Sequence, residues 1–329
     1  FTVGSQTGGT KTVLAAGQQS TSATYTFKMI PNIYMVNPGN GIVGTQVEVR
    51  GNAYTGTNTL INIDFGSTVK IGTLTGYTEP DGPGTFQFYF NVNTQPYGTR
   101  TIKVYEESTG QSAEKDFVIL SKITQITPQK GTVGSIVSVS GNGYAVGGTK
   151  IFLNSVDRTS FSVGANGSFT TSFTIDEQPY GTKTVTVKSA NPDYSYITDS
   201  GTISITANIV SISPVSGTIG SYVTMRGAGF EAGQGIKLDF GSTTISNPAT
   251  TTTSGGTFTL PFNVPVNEGA TSTVTATGAV ATASTIFVVQ GRITSVAPLS
   301  GTVGSSVTVS GDGYKKGETV KIDFGSSKS

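Results

Sequence analysis

The sequence predicts an all-β protein of tandem sandwich domains. Three observations predict it: one long motif recurs four times, apolar and polar residues alternate inside each copy, and no stretch carries a helical period. Composition points the same way. Phe, Tyr, Val and Ile dominate a hydrophobic content of 35%, beside 44 glycines, the mixture of strands with many turns.

The recurring segments start at Ile33, Ile123, Ile209 and Ile293 and read IYMVNPGNGIVGTQVEVRGNAY, ITQITPQKGTVGSIVSVSGNGY, IVSISPVSGTIGSYVTMRGAGF and ITSVAPLSGTVGSSVTVSGDGY. Their prolines, Pro38, Pro128, Pro214 and Pro298, are 90, 86 and 84 residues apart, too long for a solenoid coil and right for a small sandwich domain. The prolines fall at a strand end, where a missing amide hydrogen is tolerated. The next strand alternates cleanly. Val47 and Val49 recur as Val137 and Val139, Val223 and Met225, and Val307 and Val309, with Glu48, Ser138, Thr224 and Thr308 between them, so one face is core and the other solvent. The Gly-x-Gly/Ala-aromatic corner follows, where glycine permits positive φ or close crossing. A third strand carries Ile61, Ile63 and Phe65, matched by Ile236, Leu238 and Phe240 and by Val320, Ile322 and Phe324; a later one repeats Phe86, Phe88, Phe90 and Val92 as Phe258, Leu260, Phe262 and Val264. About seven strands per period make an immunoglobulin-like antiparallel sandwich the economical architecture. The domains expected are repeat 1 over 32–121, repeat 2 over 122–207 and repeat 3 over 208–291, flanked by half-repeats at 1–31 and 292–329.

Pro-x-x-Gly-x-x-Gly, an alternating strand, Gly-x-Gly-aromatic and then Asp-Phe-Gly together resemble the IPT/TIG immunoglobulin-like domains, over essentially the whole chain. The resemblance implies the fold more firmly than any function, because such domains occur in plexin-type receptors, Rel-type transcription factors, some starch-active enzymes and many large prokaryotic surface proteins. Repeat 2 departs from the pattern, with Leu153-Asn154 in place of Phe-Gly.

The two flanking halves are complementary. Phe1 to Val13 overlays Phe90 to Ile102, while 25 residues separate Phe65 from Phe90, 22 separate Phe240 from Phe262 and only 5 follow Phe324. Leaving Val307, Val309, Val320, Ile322 and Phe324 in water forfeits roughly 1.5–3 kcal/mol each. The expectation is that Phe1, Val3 and Val13 on one side and Val307, Val309, Val320, Ile322 and Phe324 on the other complete a core, between chains or along a longer polypeptide of the same repeats. Linkers of a few residues, as at Ser121-Lys122, Ala207-Asn208 and Gly291-Arg292, bring neighbouring repeats into contact.

The chain has no Cys, His or Trp, which excludes disulfide scaffolds, Cys/His zinc sites, haem ligation and triads built on His or Cys. Twenty Lys+Arg against nineteen Asp+Glu give a net charge of +1, no field for nucleic acid or an anionic membrane. No window is apolar for long enough to insert in a membrane. Gly39-Asn-Gly41-Ile-Val-Gly44 matches a dinucleotide fingerprint in letters, without the βαβ unit that motif needs. Ser112-x-x-Lys115 lacks its helix and companion motifs. Glu79, Asp81, Asp176 and Glu177 do not gather into a calcium loop, though calcium remains the one cofactor left open. Tyr97 and Tyr180, in Gln-Pro-Tyr-Gly-Thr loops, are read either as exposed plates for a sugar or a neighbouring chain or as turns packed over a strand end. Asn166-Gly-Ser168 is a sequon.

The function expected is a non-enzymatic structural protein of the cell surface, self-assembling head to tail into a surface layer, sheath or extracellular filament. Its rival is an adhesin or glycan-binding stalk with these domains as spacers; a non-catalytic segment of a carbohydrate-active enzyme is a third class.

Overall fold

In a computed structural model the chain is described throughout except at residues 56–58, 76–81, 192, 194–196, 268, 326 and 329. The described residues form strands joined by turns, with no α-helix. Two compact units emerge, one of Phe1–Ile126, Ser138–Thr171 and Val185–Gly201, the other of Thr127–Val137, Ser172–Thr184 and Thr202–Ser329.

The first unit opens with a hairpin of β1 (Gly9–Ala16) and β2 (Ser22–Met29), paired from Gly9↔Met29 to Ala16↔Ser22. The first complete repeat follows: β3 (Asn32–Asn37), β4 (Asn40–Gly41), β5 (Gln46–Asn52), β6 (Leu60–Phe65), β7 (Thr68–Thr75), β8 (Phe86–Asn91), β9 (Gly98–Glu106) and β10 (Ser112–Ile119). These strands make a three-stranded sheet, β3-β5-β8, and a five-stranded sheet, β4-β10-β9-β6-β7. Alternation decides which side of each strand is dry. Val47, Val49, Phe86 and Phe90 from the small sheet meet Ile61, Ile63, Phe65, Ile102, Val104, Phe117 and Ile119 from the large one in a single buried cluster. Phe65 is the hub, with ring centroids 5.0 Å from Phe90 across the sandwich and 5.6 Å from Phe117.

The second complete repeat contributes β11 (Lys122–Thr127), β12 (Lys130–Gly131), β13 (Ile136–Asn142), β14 (Gly147–Leu153), β15 (Val156–Val163), β16 (Phe169–Thr174), β17 (Gly181–Ser189) and β18 (Thr198–Ile205), with residues in both units. The third, wholly in the second unit, contributes β19 (Asn208–Ser213), β20 (Ser216–Gly217), β21 (Tyr222–Ala228), β22 (Gly235–Phe240), β23 (Thr243–Thr251), β24 (Phe258–Asn263), β25 (Ala270–Thr277) and β26 (Thr282–Val289). Both repeat the same order, β11-β13-β16 with β12-β18-β17-β14-β15 and β19-β21-β24 with β20-β26-β25-β22-β23. The third core also has a phenylalanine hub, Phe240, 6.3 Å from Phe262 and 5.7 Å from Phe287. The chain is thus built of tandem immunoglobulin-like β-sandwiches.

Each complete repeat has eight strands rather than the seven that alternation predicts, and its topology is not purely antiparallel. The extra element is the pair of residues after the motif proline, too short to show a period. Asn40–Gly41 pairs in parallel with Val118–Ile119, Lys130–Gly131 with Ser204–Ile205, and Ser216–Gly217 with Val288–Val289. All four motif prolines follow cis peptide bonds. Gly39 to Gly44, the dinucleotide look-alike, is this short strand and its turn, and Ser112 and Lys115 lie at the start of β10.

The Leu153-Asn154 departure leaves the hairpin intact. Gly66, Gly241 and Gly325 turn at φ +57, +58 and +59°, and Asn154 takes the same left-handed conformation at +47°, which asparagine tolerates better than most residues. Beside those turns Asp64 accepts a 2.7 Å bond from the Lys70 amide and Asp239 one of 2.7 Å from the Thr244 hydroxyl.

The remaining strands are β27 (Arg292–Ala297), β28 (Thr308–Asp312), β29 (Asp323–Phe324) and β30 (Ser327–Lys328), in two-stranded sheets β27-β28 and β29-β30.

Two outcomes test this account. Replacing Phe287, fully buried beside Phe240, with Ala destabilises the third sandwich by about 3–5 kcal/mol, whereas Ile286→Ala, at a position 60% exposed, changes it by about 0.5 kcal/mol or less; hydrogen exchange over Asn208–Val289 reads both. The first residue of β25 is Ala270 at φ +97°, where β1, β9 and β17 begin with Gly9, Gly98 and Gly181 at +96, +115 and +104°. Ala270→Gly relieves that backbone and stabilises by about 1 kcal/mol, seen as a raised calorimetric transition.

Candidate assembly interface

Where one repeat meets the next, the same main-chain seam forms four times. The amide of Gly8 donates to the carbonyl of Tyr54 at 3.0 Å, Tyr97 to Tyr144 at 3.2 Å, Tyr180 to Phe230 at 2.9 Å and Gly269 to Tyr314 at 3.0 Å. Each donor precedes the first residue of β1, β9, β17 or β25, and each acceptor is the aromatic of a Gly/Ala-aromatic corner. Burial of that aromatic explains its place: Tyr54, Tyr144 and Phe230 pack edge-on against Phe86, Phe169 and Phe258 at 5.1, 5.0 and 5.2 Å. The Tyr54 hydroxyl donates to the Val104 carbonyl at 3.3 Å. Burial first, then the charge of Glu106, holds this phenol well above the usual tyrosine range. Glu106 is itself buried and accepts bonds from the amide and hydroxyl of Thr55 and the hydroxyl of Thr109.

A hairpin glycine closes three of the four seams. Gly84, Gly167 and Gly256 stand two residues before Phe86, Phe169 and Phe258, at φ +78, +75 and +71°. A Cβ there would lie 2.8 Å from the Cα of Thr7, 2.4 Å from that of Pro96 and 2.6 Å from that of Pro179. The backbones touch with no room for a side chain. An exposed ion pair, Arg226 with Glu177, adds to the seam holding Phe230, of small value at the surface.

Tyr97 and Tyr180 therefore sit in loops whose main chain is engaged by the following repeat. Tyr97 is half-buried and Tyr180 is 39% exposed. Sequence reasoning missed the hairpin glycines. Their signal was present, a Gly-x-Phe at constant distance from the later aromatic strand, but a turn glycine and a contact glycine look alike in letters.

The half-repeats place their apolar residues differently from the complete ones. Val47, Val49, Ile61, Ile63 and Phe65 are at most 2% exposed, whereas their counterparts Val307, Val320, Ile322 and Phe324 are 48, 45, 47 and 84% exposed, with Val309 half-buried. A groove of about 400 Å³ opens among Ile293, Val309, Tyr314, Val320, Ile322 and Asp323. On the other half, Phe1 and Val3 are exposed and Val13 is half-buried.

Among the described residues no three Asp or Glu side chains gather as metal ligands. Asp176 accepts from Gln178 at 3.1 Å and Glu177 pairs with Arg226; Glu79 and Asp81 lie outside the described residues. No described helix is long and apolar enough to cross a membrane.

No family model matches the chain, and no curated protein does. Among solved structures it is similar to the N-terminal eight Ig domains of Down Syndrome Cell Adhesion Molecule, at 15% identity and a TM-score of 0.22, over 88% of this chain and 40% of that one. It therefore spans less than half the length of that protein. Bacteroides ovatus SGBP-B, of a mixed-linkage glucan utilization locus and solved with a heptasaccharide, gives 13% identity and a TM-score of 0.26 over 80% of this chain and 72% of that one. The ICAM-5 D1–D4 ectodomain fragment gives 13% and 0.23 over 87% and 84%. Superpositions this loose carry no argument about function.

The seam predicts a specific pair of effects. Gly167→Ala pays about 1–2 kcal/mol for its left-handed backbone and more for the Pro96 backbone in its way, whereas Gly134→Ala, at φ +92° with open space around it, pays the backbone cost alone. Urea midpoints of the two variants measure the difference, which is the tightness of the seam.

Proposed function

We propose that this chain is a non-enzymatic structural protein of the cell surface, whose immunoglobulin-like domains join end to end through a repeated main-chain seam and assemble head to tail into a surface layer, sheath or extracellular filament. One observation carries the reading. The seam recurs at all four boundaries. Repetition of one joint propagates without limit unless rotation closes it. The near-neutral, cysteine-free composition with 12% charged residues suits a packed array outside the cell, held by strand ladders rather than by charge.

A second reading, the adhesin or glycan-binding stalk, is supported by the outer face of β3-β5-β8. There Glu48 accepts bonds from Arg50 at 2.6 Å, from the Tyr89 hydroxyl at 3.1 Å and from Gln87, and the Arg50 guanidinium holds its carboxyl below the usual range. Tyr89 is 50% exposed. An aromatic plate beside a carboxylate, a guanidinium and an amide is suited to a sugar, and the matching positions in the second repeat are Ser138, Ser140, Thr170 and Ser172.

Electron microscopy of the purified chain with a glycan array separates the two. Regular layers or fibres are expected. Dispersed single particles retained on an oligosaccharide, and losing that retention with Tyr89→Ala, would favour the stalk instead.

A further inference from the structure

We infer that the loop donating each seam bond is aimed by two side chains of its own repeat, one standing three residues before and the other two residues after the glycine or alanine that opens the following strand. At the seam of Tyr97 with Tyr144 these positioning residues are Gln95 and Arg100. The role requires only the seam and is independent of how the chain assembles.

The residue types recur at both places. Gln6, Gln95, Gln178 and Asn267 stand three residues before Gly9, Gly98, Gly181 and Ala270, and Lys11, Arg100, Lys183 and Ser272 two residues after them. Every seam donor, Gly8, Tyr97, Tyr180 or Gly269, lies between the two. The later residue reaches back over the loop. Lys11 Nζ donates to Thr7 Oγ1 at 2.8 Å, Arg100 Nη2 to the carbonyls of Pro96 at 2.8 Å and Tyr97 at 3.4 Å, Lys183 Nζ to the Tyr180 carbonyl at 3.4 Å, and Ser272 Oγ to Asn267 Oδ1 at 3.3 Å. Lys183 is 8% exposed, a burial that lysine rarely takes unless its amine is bonded. Carbonyls at a crowded turn need donors, and a long cation two residues into the next strand supplies them.

The earlier residue anchors the same loop from its other end. Gln95 is 3% exposed. Its Nε2 donates to the Phe65 carbonyl at 3.0 Å and to Asn93 Oδ1 at 2.7 Å, and its Oε1 accepts from the Ser67 amide at 3.2 Å. The loop is thereby tied to the β6–β7 turn, beside the Phe65 hub of the first core. Room for the amide exists because the turn residue is Gly66: a Cβ there would lie 2.1 Å from Gln95 Oε1 and 2.8 Å from Arg100 Cδ. Both positioning residues therefore pass over one glycine. In the second repeat the turn residue is Asn154, and Gln178 donates instead to Asp176 at 3.1 Å. In the third the turn glycine returns as Gly241 with the shorter Asn267, whose Nδ2 is 3.4 Å from where a Cβ would stand. The long amide enters the turn only where the turn lacks a side chain.

Matched substitutions in the full chain test the role. Gly66→Ala and Gly241→Ala carry the same backbone cost, at φ +57 and +58°, but only the first puts a methyl group on the Gln95 amide. Residue-resolved hydrogen exchange by NMR reads each seam donor, and dividing by the exchange of a central strand amide, Val104 or Val274, cancels any loss common to the repeat. Arg100→Met and Gly66→Ala are each expected to speed exchange of the Tyr97 amide about tenfold relative to Val104, and Arg100→Lys to restore protection, as lysine serves at 11 and 183. Gly241→Ala is expected to leave the Gly269 amide within about threefold of the parent relative to Val274. Tyr97 exchange that rises only in step with Val104 overturns the inference, making Gln95 and Arg100 ordinary supports of the first sandwich. A rise in Arg100→Met that Arg100→Lys does not reverse overturns the hydrogen bond to the loop carbonyls as the cause. An effect on Gly269 in Gly241→Ala as large as that on Tyr97 in Gly66→Ala overturns the part given to the Gln95 amide.

Discussion

Everything in this chain follows from one constraint: a sheet that alternates apolar and polar side chains must have its apolar face covered. Small sheets cannot do this alone, and the sequence solves it by facing a three-stranded sheet with a five-stranded one. Phe65 and Phe240 each pack against one ring across the sandwich and another within their own sheet. In the second repeat the residues at the corresponding sequence positions are Leu153, Phe173 and Ile203, each buried.

The joints between repeats obey a different rule. They are made of main-chain amides and carbonyls, braced by glycines that let two backbones touch. At one of them a side-chain ion pair, Arg226 with Glu177, adds to the backbone contact and contributes little at the surface. Backbone groups at such a crowded place need partners, and the Gly/Ala-aromatic corner provides one by burying its ring and turning its carbonyl outward. Strand and joint are thus specified by adjacent residues of the same motif.

Much of the fold is legible in the sequence because strands write their buried face at a period of two. Val47 and Val49, or Ile236 and Leu238, declare their orientation without a structure. The two-residue parallel strand is not legible, since Asn40–Gly41 is too short to carry any period. Nor is the seam, for a hydrogen bond from the Tyr97 amide to the Tyr144 carbonyl is made by no side chain that could be read. In the sequence Tyr97 and Tyr180 stand out by their rings, while in the structure their amides make the contact. The exposed Val307, Val320 and Phe324 were legible through the repeats alone: Phe324 is an ordinary strand residue until it is set beside Phe65.

Beyond the hairpin glycines, the buried corner aromatic and the two side chains that aim its loop, a joint written in backbone places little demand on the letters around it. The outward faces of the sandwiches can drift from Glu48, Arg50 and Tyr89 in one repeat to Ser138, Ser140 and Ser172 in the next while the coupling stays the same. Duplicated modules of this kind can diversify their surfaces independently, each free to acquire its own chemistry, without renegotiating how they connect.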